Sequence, residues 1–205
     1  MKLLFFLLNR FLKNVIFDRK AISEKYKVID STVPTFITIT VIDWVDLLTR
    51  PVYCNIIDES LNYCIKEKGL SVHAYVYMTS HIHMIATAFE GELQNVIRDF
   101  KKFTSKKLVE AIQEHPESRR EWLLRKFSYE AQKSGRADNF KLWQDGFHPV
   151  ILDTLEKIEQ RVNYIHYNPV EAEIVFHERD YVNSSYRNYE EDNTVFCNVN
   201  VEPLW

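Results

Sequence analysis

Leu70-Ser71-Val72-His73-Ala74-Tyr75-Val76-Tyr77-Met78, then Thr79-Ser80, then His81-Ile82-His83-Met84-Ile85-Ala86-Thr87-Ala88 is the stretch that decides the fold. Two runs rich in β-branched, aromatic and aliphatic residues meet at a short polar break. That pattern predicts an antiparallel hairpin, with strands over Leu70–Met78 and Ile82–Ala88. In an extended strand, residues two apart share a face. His81 and His83 should therefore stand side by side while Ile82 packs into the opposite face. Paired in this way, the imidazoles offer two nitrogen ligands for a divalent cation.

Upstream, Pro34 to Ile42 is β-branched and aromatic and reads as a strand. A helix should begin at Pro51, where proline is tolerated in the first turn, and end at Gly69. Its stripe is Tyr53, Ile56, Ile57, Leu61, Cys64 and Ile65. Downstream, Glu92 to about Ile112 is amphipathic. Leu93, Val96, Ile97, Phe100, Thr104 and Leu108 lie on one side, and Arg98, Lys101, Lys102 and Lys106 on the other. Residues 116–146 predict an inserted helix and a loop, and Pro149–Leu152 a strand. Thr154–Asn168 predicts a helix with the stripe Leu155, Ile158, Val162 and Ile165. Strand–helix–strand–strand–helix–strand is the order of a ferredoxin-like sandwich, a mixed α/β fold. We expect a central antiparallel sheet with helices on one face and an inserted helical segment. Residues 1–22 read as an N-terminal appendage, 23–189 as one domain and 190–205 as an acidic tail.

The composition, 46% apolar and 27% charged over 205 residues, suits one folded domain. The net charge of −3 argues against a general nucleic-acid coat protein, but its distribution is uneven. Arg98 to Lys141 holds twelve Lys/Arg against seven Asp/Glu, whereas Glu171 to the end holds two Arg against eight acids. The basic middle suits phosphate contact and the acidic end does not. Three cysteines without a C-x-x-C pair suit reduced thiols in a cytoplasm. Leu3–Leu8 is apolar but too short to span a bilayer, and no small-residue cleavage site follows it.

The second unusual string is Asn163-Tyr164-Ile165-His166-Tyr167-Asn168-Pro169-Val170. Helical spacing puts Tyr164 and Asn168 one turn apart on one face. An amide oxygen is a hard ligand suited to Mg²⁺ or Mn²⁺. A tyrosine beside such a metal can attack a phosphodiester and keep the bond energy in a phosphotyrosine. Pro169 should stop or kink the helix and leave Asn168 at its end. Alone, each string has a plain reading: H-x-H is usually hydrogen-bonded histidine, and a helical tyrosine is usually packing.

Taken together, the strings resemble those of the single-tyrosine HUH transposases. His81-Ile82-His83 matches the HUH motif, U being hydrophobic, and Tyr164 to Val170 looks like the family's Y-I-x-x-N-P-V signature. The nearest group is the REP-associated tyrosine transposases, relatives of insertion-sequence transposases. The likeness runs from about Thr35 to Tyr186 and includes Trp143-Gln144-Asp145-Gly146 and Ser184-Ser185-Tyr186. The resemblance implies that His81, His83 and Asn168 bind a divalent metal, Mg²⁺ or Mn²⁺, and that Tyr164 is the nucleophile. It implies a ferredoxin-like fold and action on single-stranded or hairpin DNA in the cytoplasm or nucleoid. A homodimer is compatible with it, and no membrane partner is expected. The stretch from Glu114 to Asn139 is longer than in short members of the family.

Lys101, Lys102, Lys106, Arg119 and Arg120 are candidate phosphate contacts, with Trp143 and Trp122 as candidate stacking platforms. Tyr167 reads as packing. Two rival functions remain at this stage. One is a domesticated, non-enzymatic hairpin-DNA binder. The other is a zinc hydrolase built on His81, His83 and His148, although no carboxylate base lies near the H-x-H.

Overall fold

The computed structural model describes residues 30–89, 93–135, 139–190 and 198–205. Strand β1 (Thr35–Thr40) alternates strictly. Ile37 and Ile39 are fully buried on one face, and Phe36 is buried on the other. Helix α1 (Pro51–Lys68) begins with Pro51 and ends where Gly69 takes a left-handed conformation, φ 64°. Both boundaries fall where the sequence puts them, because each is set by one residue's backbone chemistry. Strands β2 (Leu70–Tyr77) and β3 (His81–Ala88) form the expected hairpin. A bulge at His73 shifts its register between Val72 and Ala74.

Helix α2 (Leu93–Glu114) buries the stripe predicted for it, and the inserted helix is α3 (Arg120–Ser134). The two-residue strand β4 (Val150–Ile151) precedes α4 (Leu155–Glu171). The strands lie in the order β2-β3-β1-β4, all antiparallel, which is the ferredoxin-like arrangement. No helix among the described residues is long and apolar enough to cross a membrane.

Helices α1 and α2 pack on one face, over Ile37, Ile39, Ile82 and Met84. The expectation of helices on one face holds for these two and needs amending for α4. That helix covers the opposite face, where Val162 and Ile165 meet Phe36, Ala74, Val76 and Ile85. Burying each of those two side chains stabilises the docking by about 1.5–3 kcal/mol. The predicted stripe is otherwise imperfect, since Leu155 is 75% exposed.

Pro169 does not end α4, which continues to Glu171. Proline in the last turn forfeits a single N–H bond, and its own carbonyl accepts from Ile174 at 2.9 Å. Asn168 therefore lies inside the helix rather than at its end.

The outer edge of β2 is closed by two returning segments. Asn183–Ser185 bonds to Tyr75 and Tyr77, and the Glu202 amide donates to Val72. The hydroxyls of Tyr181 and Tyr189 donate to the carbonyls of Tyr77 and His73. This accounts for Ser184-Ser185-Tyr186 as an edge clasp. The Asn198 amide donates to buried Asp58, tying residues 198–205 to α1. That part of the acidic tail is docked on the domain. The 1–22 appendage lies outside the described residues.

Candidate active site

β3 holds His81 and His83 on the α4 face of the sheet, opposite Thr40 and Thr38 of β1. Their ring centroids are 4.6 Å apart. Each Nδ1 has a hydroxyl neighbour, Thr38 Oγ1 at 2.9 Å for His83 and Ser80 Oγ at 3.2 Å for His81. Such outer contacts fix ring orientation and tautomer. Burial lowers the His81 pKa to about 4. It lowers that of His83 to about 3, with the charges of His81 and Arg161 adding to the effect. Both rings are neutral at physiological pH, with lone pairs available.

Helix α4 brings Tyr164 to this pair. Its hydroxyl lies 3.4 Å from His83 Nε2, and the phenol meets the His83 ring edge-on at 5.3 Å between centroids. Phe36 stacks on His83 at 5.2 Å and contacts Tyr164 at 5.9 Å, so one aromatic side chain braces both. Asn168 follows Tyr164 by one helical turn and is half-buried. His166 points elsewhere, into a buried hydrogen bond with Ser185 Oγ at 2.9 Å that pins α4 to the edge clasp.

Arg161 completes the cluster and was not singled out by sequence. Its guanidinium lies 5.0 Å from the Phe36 centroid and 5.7 Å from that of Tyr164. Among the described residues no carboxylate forms an ion pair with it, and its charge contributes to lowering the His83 pKa. A helix-surface arginine carries no mark in sequence that separates it from a solvated one. Trp44 was also missed. It is 55% exposed and meets His81 edge-on at 5.2 Å.

The remaining candidates divide. Trp143 is 4% exposed, and its Nε1 donates to Thr104 Oγ1, so it is a core residue. A stacking platform needs an open ring face, which corrects that expectation. Lys101 turns inward and donates to the carbonyls of Gln144 and Gly146; burial lowers its pKa to about 8. Arg120 donates to the carbonyls of Ile112 and His115, and Arg119 to Asp46 O and Glu117. These three cations brace loops. Lys102 and Lys106 are exposed, but α2 packs on the sheet face away from the imidazoles.

Tyr167 is 52% exposed rather than packed, and Trp122 is 52% exposed. No group of three or more His, Cys, Asp or Glu among the described residues is placed to hold a metal, so His148 does not join His81 and His83. The zinc-hydrolase alternative loses its third ligand.

No family model and no curated protein matches the chain. Solved structures do. One is a REP-associated tyrosine transposase bound to a REP hairpin, 16% identical, with a TM-score of 0.56 over 83% of this chain and 87% of that one. Two others are of a bacterial tRNA(His) guanylyltransferase (Thg1)-like protein, in complex with GTP and with ATP. Each is 11% identical, with TM-scores of 0.43 and 0.39, over 84% and 86% of this chain and 76% of theirs. Those two scores are too low to carry weight. What the first comparison establishes is the fold: this chain shares that of a REP-associated tyrosine transposase.

Proposed function

We propose that this protein is a metal-dependent single-stranded DNA endonuclease and strand transferase, a transposase that works through a 5′-phosphotyrosine intermediate on hairpin DNA. The observation that carries this is the approach of Tyr164 Oη to His83 Nε2, 3.4 Å, on the face that also holds His81. Two neutral, oriented imidazoles and an amide oxygen one turn beyond the phenol would give a mixed nitrogen and oxygen donor set for a divalent cation, which we take to be Mg²⁺ or Mn²⁺. His81, His83 and Asn168 would hold the ion. Bound there, it would polarise a phosphoryl oxygen of the scissile phosphate.

The chain's own residues supply the rest. The Tyr164 oxygen attacks phosphorus, forming the O–P bond as the P–O3′ bond breaks. The phenolic proton is given up and a proton arrives on the departing 3′ oxygen, so the products are a phosphotyrosine and a free 3′-hydroxyl. Attack by that hydroxyl, or by another strand's, reverses the step and rejoins DNA. Phe36 holds phenol and imidazole in register, and the Arg161 guanidinium beside them would donate to the phosphate oxygens.

The test is a 3′-labelled hairpin DNA with single-stranded flanks, incubated with the protein and Mn²⁺. A denaturation-resistant labelled adduct is expected with the wild type and none with Tyr164→Phe. Tight hairpin binding without an adduct on any flank would favour a binder that no longer cuts.

A further inference from the structure

Beside His81 the backbone does something costly. Asp43 and Trp44 are consecutive non-glycine residues in the left-handed region, φ 49° and 57°. Such strain persists only where surrounding contacts over-determine it. Here they do. Lys126 pairs with the Asp43 carboxylate, Arg119 Nη1 donates to Asp46 O at 2.8 Å, and Thr79 donates to Asp46 Oδ1 at 2.6 Å. The outcome is an indole held outward, 55% exposed, against His81. Opposite it α3 presents Trp122, 52% exposed. Between them is an open cavity of about 570 Å³, lined also by Asp43, Asp46, Arg119 and Lys126.

We infer that this cavity is a subsite for one unpaired nucleobase of the DNA strand entering the site. It rests on the strand-transferase function proposed above. Two acids and two bases line the cavity, so its charge is balanced, and it suits a flat neutral ligand better than a phosphate. Exposed indoles are the side chains on which unpaired bases stack. Contact between Trp44 and His81 places the bound base beside the scissile position. The exposed Asp46 carboxylate favours guanine, whose adjacent N1–H and N2–H donors match a single carboxylate. Adenine and cytosine present one amino group next to a ring nitrogen acceptor, which a carboxylate repels.

The experiment reads binding alone. Tyr164→Phe protein, which cannot cut, is titrated with hairpins whose single-stranded flank carries an abasic site at each position in turn. One position is expected to lose roughly 5- to 100-fold in affinity when abasic. Adding Trp44→Ala or Trp122→Ala should cause a similar loss on intact DNA and abolish the abasic effect. Trp44→Phe should retain most of the affinity, which separates stacking from a damaged loop. Asp46→Asn should erase a preference for guanine at that position. Tryptophan variants that keep the wild-type ratio of intact to abasic affinity would overturn the subsite, whatever the adduct assay shows. A missing adduct with this binding pattern intact would overturn only the cutting.

Discussion

Tyr164 Oη and His83 Nε2 come within 3.4 Å of each other across 81 positions of sequence. The contact joins the last long helix to the centre of the hairpin. It turns two strings that are ambiguous apart into one site.

Tyr164→Phe removes only a hydroxyl from an exposed ring. DNA cleavage should fall by at least about a thousandfold, since the bond-forming atom is gone. Hairpin affinity should stay within about twofold and the melting temperature within a few degrees. An adduct that persisted in this variant but vanished in Tyr167→Phe would move the nucleophile by one helical turn.

His81→Ala with His83→Ala should abolish Mn²⁺ binding, read by calorimetry, and reduce cleavage by at least about a hundredfold. Excess EDTA should do the same to the wild type. Thr38→Val keeps the side-chain shape but removes the hydroxyl at His83 Nδ1. Mn²⁺ affinity should then fall about tenfold. Full cleavage in EDTA would end the metal-dependent mechanism.

Arg161→Ala should lower the cleavage rate about 10²–10³-fold while hairpin affinity changes little, because one phosphate contact is a small share of the binding. Arg161→Lys should recover only part of the rate, since an ammonium lacks the planar fork. Neutralising Lys102 and Lys106, on the far face of the sheet, should leave the rate of bound DNA unchanged. Equal effects from both substitutions would mean that Arg161 acts only as bulk charge.

Histidine burial sets an acid limit on stability. Burial lowers the folded-state pKa of His81 and His166 to about 4 and of His83 to about 3, against 6.5 ordinarily. As pH falls below 6.5 the unfolded chain takes up protons that the folded chain refuses. Stability is therefore full above about 6.5 and declines towards 4. The loss should be roughly 1–2 kcal/mol per imidazole at pH 5. Urea midpoints of the metal-free protein at pH 7.5 and 5.0 measure it, and a smaller decline is expected for His166→Gln. Equal midpoints at the two pH values would refute the burial account.

Local chemistry made much of the fold legible. Pro51 and Gly69 bound α1, the alternation of β1 separates Phe36 from Ile37, and Thr79-Ser80 breaks the hairpin. The pairing of His81 with His83 follows from strand geometry alone. Non-local features were not legible. Trp143 and Lys101 look like surface residues until residues 142–147 run beside β1, with Gln144 N donating to Thr40 O. That path buries the indole and turns the ammonium to carbonyls. Arg161 resembles any cation on an amphipathic helix. The left-handed pair Asp43-Trp44 lacks the glycine that would announce it, since contacts from α3 and Thr79 hold it there. Pro169 misled because a proline in a final turn forfeits only one hydrogen bond.

The clasp on β2 has a quaternary consequence. A sheet offers its edges as templates for strand addition by a second molecule. Here residues 183–185 and 201–202 already occupy the β2 edge, and β4 at the other edge is two residues long. Two copies of this chain cannot join into one continuous sheet through β2 unless the clasp peels away. A chain cut before Asn183 loses both segments, bares the β2 edge and should gain a tendency to associate edge to edge.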